Sequence, residues 1–215
     1  MPSENNLKLS LYKSAFLSCN LYLLENEEGQ IVIDPCAQFE VVFREREVNL
    51  KGIIITHCHF DHLLKIDEYL KNSTCPVYIH GLGKEKLNDP LKNGGVLVNR
   101  DLRFYIPDER IIEIDFDQEI NLLGKKFRFM ETPGHSSCSL CILVDDYLFT
   151  GDTLFKGSIG RTDLYSSDIN EMNHSLDKIL ALDKDYQVLP GHQDITLLSE
   201  EKRNNPFLKR RRENV

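Results

Sequence analysis

The sequence lacks the features that would assign it to a membrane or to a nucleic acid. No run of about 18 apolar residues occurs, so we expect no membrane-spanning helix. The segment Met1–Asn6 lacks the basic and apolar regions of a signal peptide, which favours a cytoplasmic protein. Positive charge is also scarce, since the formal net charge is −8, and a nucleic-acid backbone is therefore not an expected partner.

Signs of a disulfide framework are missing as well. The chain has six cysteines, but without a secretion signal we expect them to be free thiols. Cys138 and Cys141 have CxxC spacing, yet they lie in a predicted strand, on which residues three apart face opposite ways. No second CxxC pair is present to complete a zinc knuckle, so we interpret these thiols as structural.

What the chain does contain is a dense group of metal-ligand side chains in the stretch Thr56–His62, which reads THCHFDH. The β-branched run Gly52–Ile55 before it predicts a strand, and Leu63–Leu70 after it has apolar residues at helical spacing. The group therefore lies at the carboxyl end of a strand, where open α/β sheets bind ligands. Crowding three imidazoles and a carboxylate together without a cation would be costly, and this mixture suits zinc or iron.

Three more ligand candidates follow apolar strands in the second half of the chain. Each strand leads into a glycine and then into a ligand-type residue, as Gly134-His135, Gly151-Asp152 and Gly191-His192. Glycine permits backbone angles that are closed to other residues, so it can turn the chain sharply and aim the next side chain at one point. Three such units beside the Thr56–His62 stretch indicate a shared site.

We therefore predict two adjacent metal positions. His57 and His59 are two residues apart, so in extended backbone they point the same way, whereas Asp61 and His62 follow where the chain turns into a helix. Asp152 is predicted to bridge the two positions. The first position takes His57, His59 and His135, and the second takes Asp61, His62 and His192. The remaining histidines, His80 and His174, are interpreted as structural.

Outside these motifs the chain forms two similar halves of strands followed by helices. With 215 residues, 41% of them apolar, it has material for a sizeable core and predicts one domain over residues 1–215, with no prediction of oligomeric state. Helices are predicted at Phe39–Val48, from Leu63, near Lys84–Leu87 and at Ile169–Leu182. Further strands are predicted at Leu7–Tyr12, Leu21–Glu25, Gln30–Asp34, Pro76–His80, Ile111–Ile114, Glu119–Leu122, Lys126–Glu131, Cys138–Val144, Tyr147–Thr150 and Tyr186–Leu189.

These motifs resemble the metallo-β-lactamase superfamily, and most closely its glyoxalase II (hydroxyacylglutathione hydrolase) branch. The resemblance implies an α/β fold, an αββα sandwich of two mixed β-sheets with helices on the outer faces and the metals at one edge. The chain is similar to the short form, which lacks the C-terminal helical domain of the longer enzymes. The resemblance is carried by Thr56–His62, Thr132–Ser136, Gly151–Phe155, Gly160–Asp163, Pro190–His192 and Asn205–Leu208.

The resemblance also implies a reaction. Two divalent metal ions, with zinc expected and iron or manganese as alternatives, would hold a bridging hydroxide that cleaves a small-molecule thioester such as S-lactoylglutathione. Asp61 and Asp152 are the predicted catalytic residues as well as ligands. Arg161 is the predicted substrate-binding residue, because a guanidinium suits the carboxylate of a thiol carrier, and an internal ion pair such as Arg161–Asp163 is the alternative.

Two other functions fit the same motifs. Persulfide dioxygenases have closely similar motifs but use one iron, which His57, His135 and Asp152 would serve here. A metal-binding sensor without turnover is the other alternative. It is disfavoured because a structural zinc needs only one closed site, whereas this chain carries ligands for two.

Overall fold

Two facing sheets with helices on both outer sides make up the fold. The computed structural model describes residues 6–115 and 117–212, with only the backbone for residues 210–212. The arrangement confirms the predicted αββα sandwich of two mixed sheets. The first five residues, part of the segment considered for a signal peptide, lie outside the described residues.

The first sheet combines an antiparallel meander with parallel strands, and its spatial order follows the chain. Its strands are β1 (Lys8–Lys13), β2 (Asn20–Asn26), β3 (Gly29–Ile33), β4 (Leu50–Ile54), β5 (Val77–His80) and β6 (Ile111–Ile114). β1, β2 and β3 pair antiparallel, whereas β3 to β6 pair parallel. Because β3 and β4 are parallel, their carboxyl ends meet at one edge, where the Thr56–His62 stretch begins.

The second sheet is antiparallel apart from one pair. The remaining strands are β7 (Gln118–Leu122), β8 (Lys125–Glu131), β9 (Leu140–Val144), β10 (Tyr147–Gly151), β11 (Leu154–Phe155), β12 (Ser158–Ile159), β13 (Gln187–Pro190) and β14 (Thr196–Leu197). The sheet order is β14-β13-β10-β9-β8-β7, and β11 and β12 form a separate small hairpin. Only β10 and β13 are parallel, so the residues that follow them, Asp152 and His192, leave the sheet at the same edge.

The helices differ from the sequence predictions mainly in length. They are α1 (Phe39–Phe43), α2 (Phe60–Leu63), α3 (Ile66–Asn72), α4 (Lys84–Leu87), α5 (Ile169–Leu180), α6 (Leu198–Asn204) and α7 (Pro206–Arg212). The helix predicted over 39–48 ends at Phe43. Near its end the Arg46 guanidinium, and not a backbone N–H, donates to the Val42 carbonyl oxygen at 3.0 Å. No helix among the described residues has both the length and the apolar character needed to cross a membrane.

One correction concerns the helix predicted from Leu63. The chain forms two short helices, α2 and α3, because Lys65 leaves helical geometry and its N–H donates to the Pro35 carbonyl oxygen at 3.0 Å. Cys138 precedes β9 instead of lying within it, while Cys141 lies in β9 and both are buried. All six cysteines are free thiols, as expected.

Three apolar clusters correspond to the layers of the sandwich. One packs α1 to α4 against the first sheet, one fills the space between the sheets, and one packs α5 to α7 against the second sheet. Tyr22 and Phe149 from opposite sheets meet at a ring-centroid distance of 5.3 Å. This middle layer fixes the edges of the two sheets relative to each other, and the predicted ligands lie along that shared edge.

Candidate metal centre

The Thr56–His62 stretch brings its ligands to the sheet edge in two directions. His59 has extended backbone (φ −73°, ψ 148°) and immediately precedes α2. His57 Nε2 and His59 Nδ1 lie 3.1 Å apart, so the two rings converge as their spacing predicted. Asp61 and His62 lie on α2 and are also buried, but they face a second point.

Glycines bring in the ligands of the second sheet for two different reasons. Gly151 has φ +47°, and a Cβ there would lie 2.6 Å from Thr56 Oγ1, so only glycine lets Asp152 approach the first sheet. Gly191 does not have a positive φ, so the predicted sharp turn is not its role. Space is the reason instead: a Cβ at Gly191 would lie 2.6 Å from His62 Cε1 and also collide with Asp152.

The first position is a cluster of three imidazoles. His59 Nδ1 lies 3.1 Å from His57 Nε2 and 2.9 Å from His135 Nε2. These three nitrogens form one of the groups whose spacing could hold a metal ion. All three rings are at most 5% exposed, so no bulk water separates them.

The second position combines carboxylate and imidazole. His192 Nε2 lies 3.0 Å from Asp61 Oδ2, and His62 Nε2 lies 3.9 Å from the same oxygen. The His192 side chain is 21% exposed, whereas His62 is fully buried. This position is therefore the one that faces solvent.

Asp152 lies between the two positions. Its Oδ1 is 3.4 Å from His62 Nε2, and its Oδ2 is 3.5 Å from His135 Nε2 and 3.7 Å from His192 Nε2. One carboxylate thus reaches ligands of both sets, which is the geometry that a bridging ligand requires.

Hydrogen bonds behind the rings orient the ligand nitrogens. His62 Nδ1 donates to Asp34 Oδ2 at 2.8 Å, which leaves Nε2 with its lone pair facing the centre. His135 Nδ1 donates in the same way to the Arg161 carbonyl oxygen at 2.9 Å, and His192 Nδ1 to the Leu17 carbonyl oxygen at 3.2 Å. These tautomers are the ones that metal ligation needs.

The two positions differ in their proton affinity. Burial and the neighbouring imidazoles hold the pKa of His57 well below its usual range, and burial followed by the charge of His135 lowers the pKa of His59 to about 3. Burial alone would also lower the pKa of His62, but Asp34 and the ligand carboxylates outweigh it and raise that pKa. In the same way, a hydrogen-bonded carboxylate raises the pKa of His192.

The donor atoms fit divalent cations. His59 Nδ1 can either donate or accept, and His135 Nε2 carries no proton when its Nδ1 donates to Arg161. Hydrogen bonds therefore cannot satisfy both contacts of His59 Nδ1, and a cation accounts for the cluster better. Among the described residues, the buried atoms His62 Nε2 and Asp152 Oδ1 lack a hydrogen-bond partner. Such orphaned polar atoms are costly unless another group binds them. Imidazole and carboxylate are the usual ligands of zinc and iron.

The seven predicted ligands thus come together, whereas the side chains of Arg161, His80 and His174 lie elsewhere. The Arg161 guanidinium donates to Asp163 at 2.6 and 2.8 Å, and only its backbone carbonyl oxygen contacts the cluster, by accepting the hydrogen bond from His135. His80 pairs with Glu131 at 2.7 Å, and His174 is an exposed residue of α5.

Sequence reasoning missed two buried residues at this edge, Asp34 and Cys19. Asp34 accepts hydrogen bonds from the Thr56 N–H, the Thr56 hydroxyl and His62, at 2.8, 2.7 and 2.8 Å. Cys19 Sγ lies with ligand atoms of the second position. A signal existed for Asp34, because it follows an apolar parallel strand in the same way as the predicted ligands. Cys19 lies before a strand and had no such signal.

The family model described as the metallo-beta-lactamase superfamily matches residues 15–192, which include all seven predicted ligands. The chain belongs to the metallo-β-lactamase superfamily. Its His/Asp cluster is the metal-binding site of that superfamily. "Probable metallo-hydrolase YqgX" of Bacillus subtilis is 32% identical over 198 residues, covering 89% of this chain and 93% of that protein. "Hydroxyacylglutathione hydrolase GloC" of Haemophilus influenzae is 30% identical over 202 residues, covering 89% and 92%.

Solved structures of superfamily members align over nearly the whole chain. The BLEG-1 B3 metallo-beta-lactamase has a TM-score of 0.86 at 30% identity, covering 94% of this chain and 99% of that chain. TTHA1623 in a di-iron-bound form has a TM-score of 0.81 at 29% identity, covering 93% and 100%. ETHE1 from Myxococcus xanthus has a TM-score of 0.71 at 25% identity, covering 93% and 83%. The metallo-β-lactamase fold is thereby established.

Proposed function

We propose that this superfamily member is a dinuclear metallo-hydrolase that cleaves a small-molecule thioester such as S-lactoylglutathione, with zinc as the metal. The observation that carries the proposal is the presence of two ligand sets joined by one carboxylate, Asp152. A hydrolase of this kind needs both sets. The second set is assembled in the structure, since His192 Nε2 and Asp61 Oδ2 lie 3.0 Å apart. The similarity to the hydroxyacylglutathione hydrolase of Haemophilus influenzae supports the substrate class.

Two divalent ions, when bound, lower the pKa of a shared water toward about 7 and polarise a carbonyl oxygen. The chain supplies the positioning. Asp61 is held by His192 at 3.0 Å and is proposed to accept a hydrogen bond from the attacking water. Asp152 lies between His62 and His135, so it fixes the first and second positions relative to each other. A leaving thiolate needs little protonation, so the proposal requires no general acid.

The substrate is proposed to enter beside His192. That side chain is 21% exposed, whereas His57 and His62 lie behind it and are at most 1% exposed. Leu17, whose carbonyl oxygen orients His192, is itself 50% exposed and lies at the same rim. An acyl group can therefore reach the second position first, and the buried rings exclude bulk water behind it.

Two places can bind the anionic part of a thiol carrier. Arg161 is proposed for this role, although a substrate carboxylate would have to replace Asp163, an exposed ion pair that is inexpensive to break. A cavity of about 650 Å³ beside the loop before β2 is lined by Lys13, Lys65 and Arg100, and its positive charge suits the same group. The variants Arg161→Ala and Arg100→Ala distinguish the two places. The variant at the place that binds the carrier should raise KM without lowering kcat.

The central test measures metal content and thioester cleavage together. We expect close to two metal ions per chain, and hydrolysis of S-lactoylglutathione at the same rate in air and under argon. Loss of activity with a chelator and recovery with Zn²⁺ would support the proposal. Two bound metals without cleavage of any thioester in a panel of acyl-glutathiones would contradict it.

A persulfide dioxygenase is the second candidate, and one observation favours it. His57, His135 and Asp152 can supply the two imidazoles and one carboxylate that non-haem iron oxygenases use, and His135 lies 3.5 Å from Asp152. This candidate predicts one iron per chain and consumption of molecular oxygen with glutathione persulfide. Oxygen uptake under those conditions would replace the hydrolase proposal.

A further inference from the structure

Cys19 holds a buried thiol beside the second metal position. The residue is fully buried, and its Sγ lies with ligand atoms of Asp61, His62 and His192 such that all four are within 4.8 Å of one another. His62 Nε2 in the same group is buried and lacks a hydrogen-bond partner among the described residues. Two independent observations therefore point to a common ligand at this spot.

The backbone fixes this thiol relative to the ligand turn that carries His192. The next residue, Asn20, donates from its N–H to the Gly191 carbonyl oxygen at 2.7 Å and from its side chain to the Pro190 carbonyl oxygen at 2.9 Å. The Cys19 carbonyl oxygen accepts the Ser14 N–H at 2.8 Å. Because of these bonds, Cys19 and His192 are held on one rigid unit.

The two buried thiols in this region have different surroundings. Cys36 Sγ donates to the Cys19 carbonyl oxygen at 3.2 Å, which is a good sulfur hydrogen bond, and it does not belong to the ligand group. Cys19 Sγ reaches the Asn20 carbonyl oxygen only at 4.0 Å, the outer limit for such a bond. Cys36 therefore has a normal sulfur hydrogen bond to the backbone, whereas the backbone hydrogen bond of the Cys19 thiol is long.

No thiol plays this part at the first position in the described structure. Cys58 lies between His57 and His59 in the sequence, but it faces the opposite way, and its N–H contacts Cys138 Sγ at 3.4 Å. The three-imidazole group contains no sulfur. The arrangement around Cys19 is thus specific to the second position.

We propose that Cys19 is an additional protein ligand of the ion in the second position, beside Asp61, His62, His192 and the shared carboxylate of Asp152. Its S–H gives up its proton when the sulfur–metal bond forms, so one proton is released and one thiolate is gained. The second position then adds a thiolate to the carboxylates of Asp61 and Asp152 and to the two imidazoles, His62 and His192. Thiolate is a soft ligand, so this set favours zinc, cobalt and iron over manganese and magnesium. The inference rests on the dinuclear centre of the proposed function, but not on the substrate.

The unaltered protein provides the first test. Loaded with two zinc ions per chain, it is expected to show X-ray absorption from a sulfur neighbour at about 2.3 Å, at about one sulfur for every two zinc ions. Loaded with cobalt, it is expected to show a near-ultraviolet thiolate-to-cobalt charge-transfer band. Absence of both signals in a protein carrying two ions would overturn the proposal, whatever its activity on thioesters.

Two variants identify the sulfur. In Cys19→Ser both signals should disappear, while Cys36→Ser, which keeps its hydrogen bond through a hydroxyl, should retain them. The Cys19→Ser protein should also lose its preference for Zn²⁺ over Mn²⁺ at the second position by about tenfold or more. Persistence of the sulfur signal in Cys19→Ser, or its loss in Cys36→Ser, would overturn the assignment. Thioester cleavage is measured alongside, so failure of the substrate proposal is seen separately.

Discussion

The first and second proposed metal positions lie at the same edge of the two sheets, but the side chains around them differ in charge. Three imidazoles face the first position, and burial keeps the pKa of His57 and His59 low. Carboxylates surround the second position, where they raise the pKa of His62 and His192. The first position is closed to solvent, whereas the second has His192 at its rim with 21% of its side chain exposed.

This difference assigns different tasks to the two positions. A buried set of neutral ligands needs no deprotonation and can hold its ion firmly. A set that is exposed and rich in carboxylate is open to substrate, but protons compete with metal for its imidazoles. We therefore expect the first position to anchor the centre and the second to respond to solvent and substrate. Four predictions test this contrast, beginning with the largest effect.

Asp152→Ala removes the one ligand that belongs to both positions. We expect metal content to fall below one ion per chain and kcat/KM to fall on the order of 10³-fold or more, equivalent to about 4 kcal/mol of transition-state stabilisation. Elemental analysis and a thioester assay measure both quantities. Asp194→Ala, which alters an exposed carboxylate 3.9 Å from Lys156, is the control. A variant that still holds two ions would show that the bridge is dispensable.

His192→Ala removes a ligand from the second position only. We expect one ion to remain at the three-imidazole set, with activity lower on the order of 10²-fold because two ions no longer share the water. His174→Ala, an exposed histidine on α5, should leave both values unchanged. If His192→Ala lost both ions together, the positions would not be separable and the contrast would fail.

Asp34→Asn tests the support behind His62. The carboxylate accepts three hydrogen bonds, and an amide offers one acceptor oxygen and turns an NH₂ group toward the remaining donors. Metal affinity at the second position should fall about 10- to 100-fold, with the first position much less affected. Titration with a metal buffer gives the two affinities. Asp101→Asn, an exposed surface change, is the comparison, and equal weakening of both positions would refute the prediction.

Lowering the pH should release the second ion before the first. A raised pKa means that His192 and His62 take up protons at a higher pH than usual, so metal binding there weakens as the pH falls through that raised pKa. The lowered pKa of His57 and His59 keeps the first position free of protons to a lower pH. Metal content after dialysis at stepped pH values should show two separate losses. Simultaneous release would argue against this order.

The seven candidate ligands, which the fold brings together, could be picked out from the sequence because each lies in a short local pattern. Four of them lie within the stretch 57–62, and the other three follow a strand and a glycine. Asp34 also follows an apolar strand, but it was not predicted, because no glycine precedes it and its role depends on contacts with residues 22 and 28 positions away. The same applies to Cys19, which becomes a neighbour of His192 only through pairing across the whole fold.

The longer strands were predicted well, whereas the two-residue strands β11, β12 and β14 and the helices near the C-terminus were not predicted. Strand bounds follow runs of apolar residues, and β6 matches its prediction over Ile111–Ile114. α6 has too little apolar periodicity to be visible, because one of its two buried residues is Glu201. That glutamate accepts the Gly157 N–H at 2.7 Å and the Thr196 hydroxyl at 2.8 Å. Such a helix is held by distant polar contacts, which a hydrophobic pattern does not record.

The edge shared by the two sheets has one further consequence, for the unfolding of the protein. His57 follows a strand of the first sheet, whereas His135 and His192 follow strands of the second. An ion that binds ligands from both acts as a cross-link between halves of the chain, and it closes long loops whose entropy the unfolded chain would otherwise regain. The free energy of metal binding is then free energy of folding, so each ion at 100 times its Kd adds about 2.7 kcal/mol of stability. Metal ions bound at both positions would therefore stabilise the packing of the two sheets as well as take part in the proposed reaction.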